Sequence, residues 1–275
     1  MKESLRVLLT TVALLVSASA NAQQVPDPRV ADLIRAGKLR VALFLPAYVK
    51  DPVTGEIRGR GTGTITVQIA QTLAARLGVE VQLLGYPTPS AVAECLKAGS
   101  CDISFTAFNL FGTAEIGYSP PLFILPFTLL VPAGSPIGSV ADADRPGVRI
   151  AVVSGHESTR ALSRTVRHAE LLGAEIPDAA FELLRTRQAN AFASHILVLQ
   201  DYSTKLPGSR VLEDRYGANL AAIAISKDKA GWLAYVSEFV EEAKASGLVQ
   251  RAIERAGMRG IRVAPPGNPK PSGRS

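Results

Sequence analysis

The sequence predicts an α/β protein of two lobes, each a mostly parallel sheet flanked by helices, the two joined by two hinge strands. Three observations carry this. First, β-type apolar runs alternate with segments of helical period from Leu39 to Phe105, a βαβαβ order that gives a parallel sheet by the right-handed crossover rule. Second, a βα pattern restarts at Val148. Third, the apolar segments Leu122–Val131 and Tyr216–Ile225 bracket that second pattern and suit crossings between lobes. The expected first lobe is 26–131 plus 224–260, with 135–218 inserted as the second lobe. Two lobes on two strands can hinge on a ligand.

Taken in order, the chain of 275 residues opens with a weakly basic stretch, Met1 to Arg6. An apolar run, Val7–Val16, follows, and Ser17-Ala18-Ser19-Ala20-Asn21-Ala22 closes it on Ala-x-Ala. Residues 1–22 therefore read as a secretory signal peptide, set apart from the fold. The run is well short of the ~20 residues of a spanning helix; an uncleaved membrane anchor is the alternative. No Cys follows the run before Cys95, so no lipid anchor is expected, and an exported periplasmic protein fits. The 47% hydrophobic fraction supports a core. The net charge of +6 is spread along the chain rather than clustered, and aromatics are few, which argues against nucleic-acid binding.

Pro26–Gly37 reads as a short opening helix and Leu39–Leu45 as the first strand. Asp51–Gly63 is Gly-rich and polar, a hairpin or loop. Val67, Ile69, Ala70, Leu73, Ala74 and Leu77 give a helix over Thr66–Leu77. Val79–Leu84 is a strand with Tyr86 in the loop beyond its carboxyl end, and Ser90 caps a helix over Ala91–Ala98. Asp102–Phe105 is a buried strand that stops in polar and aromatic residues. Ligands of open α/β sheets sit beyond the carboxyl ends of strands, so Thr106, Asn109 and Thr113 mark the expected site floor. Pro126 demotes Leu122–Val131 to an edge or a crossing segment. In the second lobe, strand Val148–Val153 leads through Ser154–Thr159 into a helix over Arg160–Leu172, with further helices at Phe181–Arg187 and Ile196–Ser203 and a strand at Ala189–Ala193 between them. Two helices fill Lys229–Gly257, and residues 261–275 form a disordered tail by composition.

Cys95 and Cys101 are the two cysteines. A metal site needs more ligands than they and distant histidines offer, and a redox pair is normally closer, as Cys-x-x-Cys. In an oxidising compartment a structural disulfide is the plain reading.

The pieces Lys97-Ala98-Gly99, Asp102-Ile103 and Tyr118-Ser119-Pro120-Pro121, in the order helix, Gly turn, strand, Thr/Asn loop and apolar strand, resemble bacterial extracellular solute-binding proteins of family 3, the amino-acid-type receptors of ABC importers. The resemblance spans about Asp32 to Gly257 and rests on the ordered set, not on one motif. It implies a periplasmic-binding-protein fold, capture of a small polar solute, delivery to ABC permease subunits, no cofactor, and a monomer. It also implies an aromatic after the first strand that packs on the ligand, for which Tyr48 is the candidate and a surface loop tyrosine the alternative.

A helix start holding Ser158 and Thr159 suits a carboxylate, as the resemblance implies for the second lobe; a self-capped helix is the other reading. Ser154-Gly155-His156 is no Gly-x-Ser-x-Gly, and His156-Glu157-Ser158-Thr159-Arg160 lacks the second His of a zinc pair, so an enzyme of this fold or a sensor domain stays the runner-up.

The family's two charged anchors are not legible. No Lys, Arg or His occurs from Ala98 to Asp144, and Gly112 falls where the carboxylate-binding Arg would stand. In Asn190-Ala191-Phe192-Ala193-Ser194-His195 the last residue stands where the ammonium-binding Asp would be. A solute without an α-ammonium is therefore expected, with Arg58, Arg60 or Arg160 as rival replacements for the first-lobe Arg.

Overall fold

The structure, a computed structural model, describes residues 27–44, 48–108 and 110–268. The expected signal peptide lies outside the described residues, as does Asn109. Asp27 caps a single turn, Pro28–Val30, its carboxylate accepting from the Arg29 N–H, and α1 (Ala31–Ala36) follows. Gly37 stops α1 at φ 67°, a left-handed position that glycine takes without a side-chain clash. β1 (Lys38–Phe44), the hairpin strands β2 (Tyr48–Lys50) and β3 (Ile57–Gly59), α2 (Thr62–Leu77), β4 (Glu80–Tyr86), α3 (Pro89–Lys97), β5 (Ile103–Ala107), β6 (Ile116–Tyr118) and β7 (Phe123–Val131) come next. The chain continues as α4 (Val140–Ala143), β8 (Arg149–Val153), α5 (Glu157–Thr165), β9 (Glu170–Ala174), α6 (Pro177–Arg185), β10 (Ala191–His195), α7 (Ile196–Thr204), β11 (Arg210–Val211) and β12 (Gly217–Ser226). α8 (Ala230–Ala245), α9 (Leu248–Arg255) and β13 (Arg262–Val263) close it.

The predicted parallel pairings are present: β1 lies between β4 and β5, and β8 lies between β9 and β10. One continuous sheet runs β4-β1-β5-β12-β7-β10-β8-β9. Its centre is the antiparallel pair β7 and β12. The first half of β7 pairs with β12, from Phe123↔Ala221 to Phe127↔Gly217, and its second half with β10, from Phe127↔His195 to Leu130↔Phe192. The far half of β12 pairs with β5 and β6. Both strands thus run from one lobe into the other, and Pro126 sits in β7 near the changeover, where a missing N–H is least costly.

Apolar periodicity builds each core. α2 buries Ile65, Ile69 and Leu73 at a spacing of four, and each such side chain contributes about 1.5–3 kcal/mol relative to exposure. The buried residues of the first lobe come from Val30–Phe123 and from Ile223 onward, those of the second from Leu129–Leu212.

Four expectations are corrected. The helix expected over Arg160–Leu172 ends at Thr165, and Glu170–Ala174 is a strand parallel to β8. The Asp144 carboxylate explains the break: it accepts from the backbone N–H groups of Arg167, His168 and Ala169 and turns the chain. Thr88 rather than Ser90 caps α3, its hydroxyl accepting from the Ala91 N–H at 3.2 Å. β6 was not anticipated; three residues are too few for a periodic signal. Finally, the chain is not irregular from residue 261. Ile261 and Ala264 are buried, β13 pairs with Phe123 and Ile124 of β7, and the Ala264 N–H reaches the Leu122 carbonyl. The polar composition begins only at Pro265, and averaging over the whole tail hid the apolar start. Among the described residues no helix is long and apolar enough to cross a membrane.

Candidate functional site

The carboxyl ends of β1 and β5 open onto a cavity of about 230 Å³. Phe44 ends β1 at its mouth, Ser104–Ala107 of β5 form one wall, and Gly63 and Thr66 of α2 another. Leu110 and Phe111 come from the loop after β5; Phe123 and Leu125 of β7 and Asn219 and Ala221 of β12 supply the crossing strands. Among the described residues that line it there is no Asp, Glu, Lys, Arg or His.

Of the predicted first-lobe residues, Thr106 and Tyr48 line this cavity. The Tyr48 ring is buried and its hydroxyl is bonded to Thr66 Oγ1 at 2.7 Å; burial pushes the phenol up to about 12. It is a buried wall of the cavity, whereas Phe44, also in the lining, is 38% exposed. Tyr86 lies outside the cavity lining; its hydroxyl donates to Cys95 Sγ at 2.9 Å, against the Cys95–Cys101 disulfide that ties the end of α3 to the approach of β5. Thr113 is also absent from the lining, and its hydroxyl is enclosed with no partner among the described residues. The loop that carries it folds about Tyr118, whose hydroxyl accepts from the Phe111 N–H at 2.9 Å and whose ring lies 5.4 Å from Phe108.

Across the crossing strands, the second lobe contributes polar groups. Ser158 is buried in the first turn of α5. The Thr159 hydroxyl donates to the Val153 carbonyl at 2.6 Å and is thereby used by the backbone. No side chain caps α5, so neither hydroxyl satisfies the helix-start N–H groups in the way the self-capped reading supposed. Arg160 is turned back onto the Gly155 carbonyl at 2.6 Å.

His195 ends β10, with Nδ1 enclosed and without a partner among the described residues. Burial, with the nearby His156 adding to it, lowers its pKa to about 4, so the ring is neutral at neutral pH. Tyr216, not singled out from the sequence, packs on Phe127, the strand partner of His195. Its hydroxyl is enclosed near Ser158 with no close hydrogen-bond partner among the described residues, and burial pushes the phenol well up. Its ring is 5.9 Å from Phe127, the residue that His195 and Gly217 flank in register. Phe44, at the end of β1, and Tyr216 and Asn219, just before and within β12, were missed because no local motif marks them.

Two α/β lobes on one sheet, with a cavity at strand carboxyl ends and a polar cluster across the crossing strands, make a two-lobe α/β architecture. Solved structures of this fold match most of the chain. An ancestral cationic amino acid solute-binding protein superposes with TM-score 0.63 at 23% identity, over 82% of this chain and 97% of its own. An amino acid ABC transporter substrate-binding protein from Streptococcus pneumoniae, bound to L-arginine, gives 0.58 at 18% identity, over 86% and 100%. An ancestral cyclohexadienyl dehydratase gives 0.57 at 22% identity, over 82% and 95%. At these identities the likeness is one of fold. No protein-family model matches the sequence, and no curated protein does.

Proposed function

We propose that this chain is the solute-capturing subunit of an ABC importer: an exported, periplasmic, monomeric receptor that closes its two lobes on a small organic solute and presents it to the permease subunits. The observation that carries this is the position of the cavity. It lies at the carboxyl ends of β1 and β5 and is walled by β7 and β12, the two strands that pass between lobes, so a solute bound there touches the hinge itself. Solved structures named as ABC-transporter binding proteins share the fold and support the reading. In this scheme 26–131 plus 224–260 and 135–218 are the moving bodies, and Thr106, Ser158 and His195 face the solute.

The experiment is to purify the protein from its native host, release bound small molecules by denaturation, and identify them by mass spectrometry. Adding the released solute back should reduce the radius of gyration in solution scattering and raise the melting temperature. Tight binding with unchanged scattering overturns closure. Because an ancestral dehydratase shares the fold, an enzyme is the second reading; conversion of the bound solute on incubation would replace the receptor by that reading.

A further inference from the structure

We propose, building on the receptor reading, that the solute is amphipathic: an apolar or aromatic body seated in the first-lobe cavity, and a carboxylate head without an α-ammonium, read by His195, Tyr216 and Ser158. The cavity carries the first half of this. Phe44, Phe105, Leu110, Phe111 and Leu125 dominate its surface and no acidic or basic side chain is among its described lining residues, so a guanidinium or ammonium placed there would lose its water without gaining a counter-charge.

The strand register carries the second half. Side chains alternate along a strand, so Phe123, Leu125 and Phe127 share one face of β7. The first two line the cavity; Phe127, about 7 Å further along at two residues' rise, is the next rung. That rung is flanked by His195 on β10 and by Gly217 on β12, with Tyr216 packed on the Phe127 ring. A body in the cavity thus has its head one rung away, by the His195 Nδ1 and Tyr216 hydroxyl, both enclosed and without a partner among the described residues. Enclosed polar atoms without partners are disfavoured until something supplies them, and an oxygen-rich head does so. The uncapped start of α5 beside Ser158 adds N–H donors that favour a negative head.

Of the acids carried by the elements packed here, Asp214 is engaged by the Val140 N–H at 2.8 Å and the Arg215 N–H at 2.9 Å, and Glu157, next to Ser158 at the start of α5, is exposed to water. His156 lies near His195, and Glu213 and Arg262 lie near Arg215, which is held on the Leu212 and Asp214 carbonyls with its Nε enclosed and without a partner among the described residues.

The test is calorimetry on protein stripped of endogenous solute, with two matched sets. One is 4-methyl-2-oxopentanoate, 2-hydroxy-4-methylpentanoate and leucine; the other is phenylpyruvate, phenyllactate and phenylalanine; arginine is added as the charged-body control. The 2-oxo or 2-hydroxy acid should bind at least tenfold tighter than the amino acid of the same body, and arginine weakest. Tyr216→Phe and His195→Ala should each weaken the acid at least tenfold. His195→Asp should reverse the preference towards the amino acid. Phe44→Asp, at a half-exposed position that folding tolerates, should weaken every acid in both sets. An amino acid bound as tightly as its acid, or no member bound at all, overturns the inference. The receptor reading fails separately, when the solute released from native protein produces no compaction.

Discussion

A histidine that cannot take up a proton is a stability switch. His195 titrates near 4 in the folded protein against an ordinary value of 6.5. Between those values the unfolded chain binds a proton that the folded chain refuses, so stability falls as pH drops through 6.5 and levels off below about 4. His195→Gln should flatten that part of the curve by about one proton, measured as urea midpoints at several pH values; an unchanged slope would remove the buried-neutral assignment. Cys95 and Cys101 make a second residue-level statement. Replacing both by Ser should lower stability by less than the roughly 3 kcal/mol of a loop of about 15 residues, since the loop here is shorter. Denatured, unreduced protein should show no free thiol. At this scale the sequence was informative where one residue type speaks alone. The paired cysteines, the absence of cations from Ala98 to Asp144 and His195 in place of an acid were all legible. Tyr216 was not, because its enclosure comes from Phe127 and Ser158, distant in sequence.

Elements were legible where the apolar period was long, as in α2 and α8, and failed where one side chain redirected the backbone. Asp144 is that side chain for the α5–β9 turn. Its three backbone N–H donors hold its pKa down to about 2, so the stability it lends is present above the ordinary value of 3.8 and is lost as pH falls from there towards 2. Asp144→Ala should loosen the second lobe first, seen as faster amide exchange in β9 than in β4. On the other lobe, a Cβ at Gly59 would lie 2.3 Å from the Gly63 backbone, which has no side chain to swing away. Gly59→Ala should therefore push β3 off the start of α2, cost on the order of 1–3 kcal/mol, and weaken solute binding, because Gly63 lines the cavity. Calorimetric melting and binding on the same variant check both.

For the whole molecule, the alternation of strands and helices and the two proline- or glycine-marked crossings were enough to propose two lobes. How those crossings join the lobes into one sheet was not legible, since pairing partners such as Phe127 and His195 are far apart in the chain. That sheet has a consequence for the order in which the chain can acquire its structure. The hydrophobic residues 129–212 are contiguous, whereas the other core joins Val30–Phe123 to residues from Ile223 to Ile261. A chain emerging from its N-terminus completes the inserted lobe while the flanking one still lacks β12, α8, α9 and β13. Until they arrive, the first half of β7 is an unpaired edge, and closing the gap between the two halves of the outer core carries the slow entropic step of a long loop. Stalled chains ending near Tyr216 should thus show a protease-resistant inserted lobe beside a digestible outer one.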